Sequence, residues 1–265
     1  MTRQRFDVHA HAFHPKIAAK VLAQLEEHYQ IKPRGNGLLD DFLARLDEAG
    51  IARAIVHSAA TAPAQVIPAN DWAIHVQNTN PRLLAFGTLH PDFANWEAEL
   101  DRLERNGIKG LKLHPDFQGF WLNDPRLQPI YEALQGRFTV MCHIGDRVPP
   151  EQNPSSPAKL ARIKKDFPGL KVIAAHFGGF QHWDYVLEHL ADTDVYVDTS
   201  SSLDFISDEQ LQSIYHALGR ERILFGSDYP LSTPTREIRL LRQRLQLSDA
   251  ELEEILTNGN ALFSD

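Results

Sequence analysis

Val140-Met141-Cys142-His143-Ile144-Gly145-Asp146 and Val172-Ile173-Ala174-Ala175-His176-Phe177-Gly178-Gly179 share one design. Each is a short apolar run that ends in a histidine where a loop begins. Runs of this kind suit strands buried on both faces, as in a parallel sheet covered by helices. The design extends along the chain. Strand candidates are Phe6–Ala12, Ala52–Ser58, Leu83–His90, Gly110–His114, Phe138–Ile144, Lys171–His176, Asp194–Thr199 and Arg222–Ser227. Between them lie helix-like stretches at Lys16–Tyr29, Leu38–Ala49, Asn70–Gln77, Asn95–Arg105, Leu127–Leu134, Pro157–Asp166, Trp183–Leu190, Asp208–Leu218 and Pro234–Gln246, with Asp249–Leu256 closing the series. Eight strand–helix units in about 250 residues predict a (β/α)8 TIM barrel rather than an open doubly wound sheet. No glycine-rich dinucleotide fingerprint follows the first strand. No linker divides the chain, so one domain is expected over residues 1–265. Two Pro/Gly-bearing loops stand out, Ile31–Gly37 and Arg147–Pro157. The second is a lid candidate or an ordinary solvated loop.

Composition narrows the function. The chain is 43% hydrophobic and 23% charged with a formal charge of −8. It has no Lys/Arg-rich run, which argues against nucleic acid and anionic membranes as partners. Cys142 is the single cysteine, which excludes an internal disulfide and a zinc–cysteine site. No apolar run approaches the ~20 residues of a membrane span, and the N-terminus shows no secretory signal. A cytoplasmic setting and a small-molecule substrate are expected, with a homodimer as a permitted assembly.

The histidines carry the chemistry. Seven of the 13, namely His9, His11, His57, His90, His114, His143 and His176, fall at or near the carboxyl end of a proposed strand. In a barrel those ends converge on one face, where active sites are built. His9 and His11 stand at i and i+2 of the first strand and so share a face. Imidazole is the commonest metal ligand among side chains. The last strand, Ile223-Leu224-Phe225-Gly226-Ser227-Asp228-Tyr229-Pro230, ends in a carboxylate facing the same rim, a ligand or general base rather than a mere turn residue.

His9-Ala10-His11, His143, His176 and Asp228, with Gly110-Leu111-Lys112-Leu113-His114-Pro115, Ala175-His176-Phe177-Gly178-Gly179 and Phe225-Gly226-Ser227-Asp228-Tyr229-Pro230, resemble the amidohydrolase superfamily. The similarity is to the branch called amidohydrolase 2, which includes aminocarboxymuconate-semialdehyde decarboxylase, other aromatic-acid decarboxylases, hydratases and lactone hydrolases. The resemblance implies that His9, His11, His143 and Asp228 ligate one divalent ion, with His176 catalytic beside it and Asp228 doubling as a base. Nitrogen and oxygen donors without thiolate suit Zn2+ first, with Mn2+, Fe2+ and Co2+ also fitting. Such an ion lowers the pKa of its water to roughly 7.

Lys112 and His114 share a face of strand four. Binuclear relatives place a bridging carbamylated lysine on that strand, but an anchor for a substrate carboxylate or a buried ion pair is the preferred reading here. Lys112, His114 and Arg147 are therefore the expected substrate-binding groups. His57 and His90 have weaker claims as rim residues. Trp121, Trp183 and Tyr229 either wall an aromatic pocket or pack under loops. The leading expectation is hydrolysis of an amide, lactone or ester-like bond in a small, carboxylate-bearing molecule. The alternative is a metal-dependent decarboxylase of an aromatic or unsaturated acid. Behind these stand a TatD-type deoxyribonuclease, disfavoured by Lys112 and His114 where that enzyme has a glutamate, and a barrel that binds metal without catalysis.

Overall fold

The computed structural model describes residues 4–263. Eight strands run in chain order around one sheet: β1 (Phe6–Ala10), β2 (Arg53–His57), β3 (Leu83–Thr88), β4 (Gly110–Leu113), β5 (Thr139–Cys142), β6 (Lys171–Ala174), β7 (Tyr196–Asp198) and β8 (Ile223–Leu224). Every neighbouring pair is parallel. The ring closes through a β1–β8 seam, with Val8 N donating to Phe225 O (2.8 Å), Asp228 N to His9 O (2.8 Å) and His11 N to Tyr229 O (2.7 Å). The fold is the expected TIM barrel.

Helices lie between the strands close to the expected bounds. The first two are α1 (Pro15–Tyr29) and α2 (Leu39–Ala49). The helix expected from Asn70 begins at Val66, ahead of Pro68. Proline is tolerated there because the first four N–H groups of a helix have no intrahelical acceptor. The strands are shorter than expected, most of all β8, because the residues after their last ladder pair turn inward to build the barrel mouth.

Two apolar layers hold the barrel. Outward-facing residues such as Val56, Leu111, Val140, Val172 and Val197 pack against the helices. Inside, Phe6, Val8, Ile55, Phe86, Met141, Ile173, Ala175 and Leu224 fill the lower half, and Phe263 stands edge-on to Phe6 (6.0 Å) and Phe86 (5.7 Å) to stopper the amino end. This plug is the floor on which the histidines rest.

Candidate metal centre

On β2, β4 and β5 the period-two alternation carries the interior face upward without interruption. Ile55 is followed by His57, Met141 by His143, and Lys112 by His114. Three other strands leave regular geometry at the same height. On β1, Phe6 and Val8 face inward while Ala10 and Ala12 face the helices, and the register against β2 shifts between Asp7 and Ala10. The bulge re-aims His9 and His11 into the barrel. Asp7 pins it, its Oδ1 accepting from the backbone N–H of His9 (3.1 Å) and of Ser227 (3.0 Å). Burial pushes the Asp7 carboxyl up to about 7. Gly226 leaves the room His9 needs, since a Cβ there would stand 2.8 Å from that of His9. On β6 and β8 the break is a left-handed backbone, with φ of 63° at His176 and 54° at Asp228. Non-glycine residues held there cost of order 1–3 kcal/mol each and cluster at functional sites.

The hydrogen bonds fix which ring nitrogens are free to act as ligands. His9 Nδ1 lies 2.8 Å from Asp198 Oδ2, His11 Nδ1 2.9 Å from the His57 carbonyl, and His176 Nδ1 3.0 Å from the Ser200 carbonyl. These partners accept only, so each ring carries its proton on Nδ1 and turns the Nε2 lone pair inward. His143 Nε2 likewise faces the Gly145 carbonyl (3.0 Å), which leaves its Nδ1 lone pair 2.9 Å from His176 Nε2. Asp228 Oδ1 faces His9 Nε2 at 3.5 Å and His11 Nε2 at 3.2 Å. Lone pairs and a carboxylate converge with no proton to bridge them. Such a donor set fits a cation.

Burial keeps the rings neutral, the form that ligates. It lowers His9 to about 4, with Lys112 adding to the effect, and it lowers His143 and His176 as well. Burial works against charge on Asp198, but the Nδ1–H that His9 donates and the Ser200 hydroxyl hold its carboxyl below the usual range, and the Ser201 hydroxyl donates to Asp228 Oδ2. Lys112, 1% exposed, is lowered by burial to about 8, opposed by Asp198 and Asp228. Two carboxylates and one ammonium leave this buried mouth one negative charge. A divalent ion reverses that sign.

Ligand atoms of His9, His176 and Asp228 lie within 4.8 Å of one another, as do those of His9, His11 and His57. His143 stands one ring further out, its Nδ1 2.9 Å from His176 Nε2 and its ring stacked on that of His114 (3.8 Å). His114 Nε2 meets the Tyr29 hydroxyl at 3.2 Å. Arg147 is exposed, and its guanidinium donates to the Tyr29 carbonyl, tying the loop after β5 to the end of α1. His90 bonds the Gln118 carbonyl (3.0 Å) and is away from the cluster. Tyr229 packs on Phe42 and donates to Asp41, Trp183 donates to the His176 carbonyl, and Trp121 is exposed under Lys159. The sequence reading misses Asp198 and Tyr29. Asp198 ends β7 as Asp228 follows β8, so the strand-end rule could have found it; nothing local marks Tyr29.

Comparisons with known proteins bear on this site. The chain matches the family model described as Amidohydrolase over residues 6–262. It is similar to a solved, uncharacterised TIM-barrel protein from Bordetella bronchiseptica, at 16% identity over 97% of each chain with a TM-score of 0.77. It is similar to 5-carboxyvanillate decarboxylase from Novosphingobium aromaticivorans, solved with manganese and 4-hydroxy-3-methoxy-5-nitrobenzoic acid, at 18% identity over 100% of this chain and 97% of that one, TM-score 0.73. A Pseudomonas putida protein provisionally named a 2-pyrone-4,6-dicarboxylic acid hydrolase aligns at 18% identity over 99% and 98%, TM-score 0.67. At these identities the likeness to solved structures is one of fold.

Proposed function

The chain belongs to the amidohydrolase family, and on that footing we propose that it is a metal-dependent carboxy-lyase acting on a small aromatic carboxylic acid. The observation that carries this reading is a set of aromatic rings packed on the histidines of the mouth, with the Lys112 side chain buried in the same mouth. Phe13 stacks on His11 (5.9 Å, 14°), Phe117 stacks on His114 (4.3 Å, 16°), and Phe180 stands edge-on to His176 (6.0 Å). Below them Lys112 is balanced only at longer range by Asp198 and Asp228. Flat apolar walls and a net positive floor, once an ion is bound, suit an aromatic carboxylate. The decarboxylase solved with manganese supports the same reading.

In this proposal His9, His11, His143 and Asp228 hold the ion. Held there, a divalent ion would supply positive charge against the negative charge of the substrate's oxygens. Lys112 anchors the substrate anion, His114 lines its ring with Phe117, and Arg147 holds Tyr29 over the mouth. As the carboxylate leaves as carbon dioxide, its electron pair stays on the ring carbon and a proton replaces the lost group. His176 Nε2, whose lone pair faces the site, would take up a proton from solvent and pass it to that carbon, so that the ring ends neutral as it began. The substrate is a small molecule, and we place the chain in the cytoplasm as a monomer or homodimer. Among the described residues no helix is long and apolar enough to cross a membrane.

One observation favours hydrolysis, the first expectation from sequence. Asp228 is the one carboxylate facing His9 Nε2 and His11 Nε2, at 3.5 and 3.2 Å, which is the place of a general base. The experiment that separates the readings is a screen of Zn2+- and Mn2+-loaded protein on hydroxybenzoates and lactones, read by mass. A product lighter by one carbon dioxide supports the lyase; one heavier by one water supports hydrolysis. In the same screen Lys112→Met should raise the Michaelis constant while metal content stays unchanged.

A further inference from the structure

We propose that His57, at the end of β2, is a further imidazole ligand of the same ion. The inference rests on the metal reading of the barrel mouth and adds a strand to it. His57 is 2% exposed, and neither of its ring nitrogens has a hydrogen-bond partner among the described residues. A neutral imidazole carries one donor and one acceptor, and leaving a buried polar group unsatisfied costs about 1–3 kcal/mol. An apolar side chain would fill this place without that cost, as Ile55 does one layer below.

The surroundings say what the ring is for. It stands 4.6 Å from the His9 ring and 4.6 Å from the His11 ring, and its own carbonyl accepts from His11 Nδ1. One residue thus orients one ligand and offers its ring beside two. Ligand atoms of His9, His11 and His57 lie within 4.8 Å of one another, so small ring rotations bring them to the spacing of ligands on one ion. Both His57 nitrogens are sealed from solvent. A single ion would fit among the three rings where a substrate-sized group would not.

The test uses the full chain stripped with a chelator, then titrated with Zn2+ against a chromophoric competitor. His57→Phe should weaken Zn2+ binding by on the order of 10²-fold, while the metal-free variant melts no lower than the metal-free parent, because two unsatisfied nitrogens are gone. X-ray absorption of the Zn2+-loaded parent should count one imidazole more than His9, His11 and His143 supply, a readout that needs no variant to fold. His57→Asn should show the same loss of affinity. Parent-like affinity in both variants with no extra imidazole in the count would overturn the assignment of His57 alone. A parent that takes up no Zn2+ would overturn the metal reading and this inference with it.

Discussion

The lower and upper halves of the barrel interior are built from the same eight strands and teach different lessons. Below, Phe6, Val8, Ile55, Phe86, Met141, Ile173 and Leu224 obey strict alternation and form a dry plug. Above, β1 bulges and the residues after β6 and β8 enter left-handed backbone at His176 and Asp228. Regular geometry stabilises the barrel, whereas the irregular geometry re-aims side chains at one point. The apolar layer supplies free energy that the polar layer spends on buried charge and strained backbone.

The comparison breaks most visibly at the first strand. His9→Ala combined with His11→Ala should leave no divalent ion after dialysis and reduce turnover to background, with the plug and the far-ultraviolet circular dichroism intact. Elemental analysis showing a retained ion would mean the two halves are not divided as described. His176→Ala comes next in size. It should keep its ion and lose turnover by roughly 10²–10⁴, the range of general acid–base catalysis. Loss of the ion as complete as in His143→Ala would make His176 a ligand instead.

In the plug, Phe86→Ala should cost about 3–5 kcal/mol in denaturant unfolding without changing the affinity for Zn2+. An affinity change as large as the stability change would show that the halves are one unit. The smallest effect expected is on pH. His9 titrates near 6.5 in an unfolded chain and is lowered to about 4 by burial. Folding therefore favours the neutral ring, so this stability is fully present above pH 6.5 and is lost as pH falls toward 4, by about 3 kcal/mol. Asp7, raised to about 7, acts in the opposite direction. The difference between the metal-free parent and His9→Gln isolates the histidine, and a difference that stays flat across that window would remove burial as the cause.

Much of the upper layer was legible before the structure. His143 on β5 and Lys112 and His114 on β4 follow from apolar runs and alternation alone. His9 and His11 were legible as a pair sharing a face, but the same rule turns Phe6 and Val8 to the opposite face, and the structure has all four inside. The bulge that reconciles them is held by Asp7 against Ser227 on the far side of the seam, a contact no local pattern encodes. The left-handed backbone at His176 and Asp228 is equally silent, since neither residue is glycine. Asp198 was within reach of the strand-end rule. Tyr29 was not, because it reaches His114 only through the packing of α1, and His57 shows its importance only once its nitrogens are seen to lack partners.

The central claim is that converging lone pairs and Asp228 form a cation site. Its most direct test is calorimetric titration of Zn2+ and of Mn2+ into chelator-stripped protein at pH 7.5 and at pH 4, where His9 begins to take up a proton. The account predicts saturation at one ion per chain at the higher pH, with protons competing for the imidazoles and weakening binding at the lower. No binding of either ion at pH 7.5, or binding indifferent to both pH and the loss of His9 and His11, would contradict it.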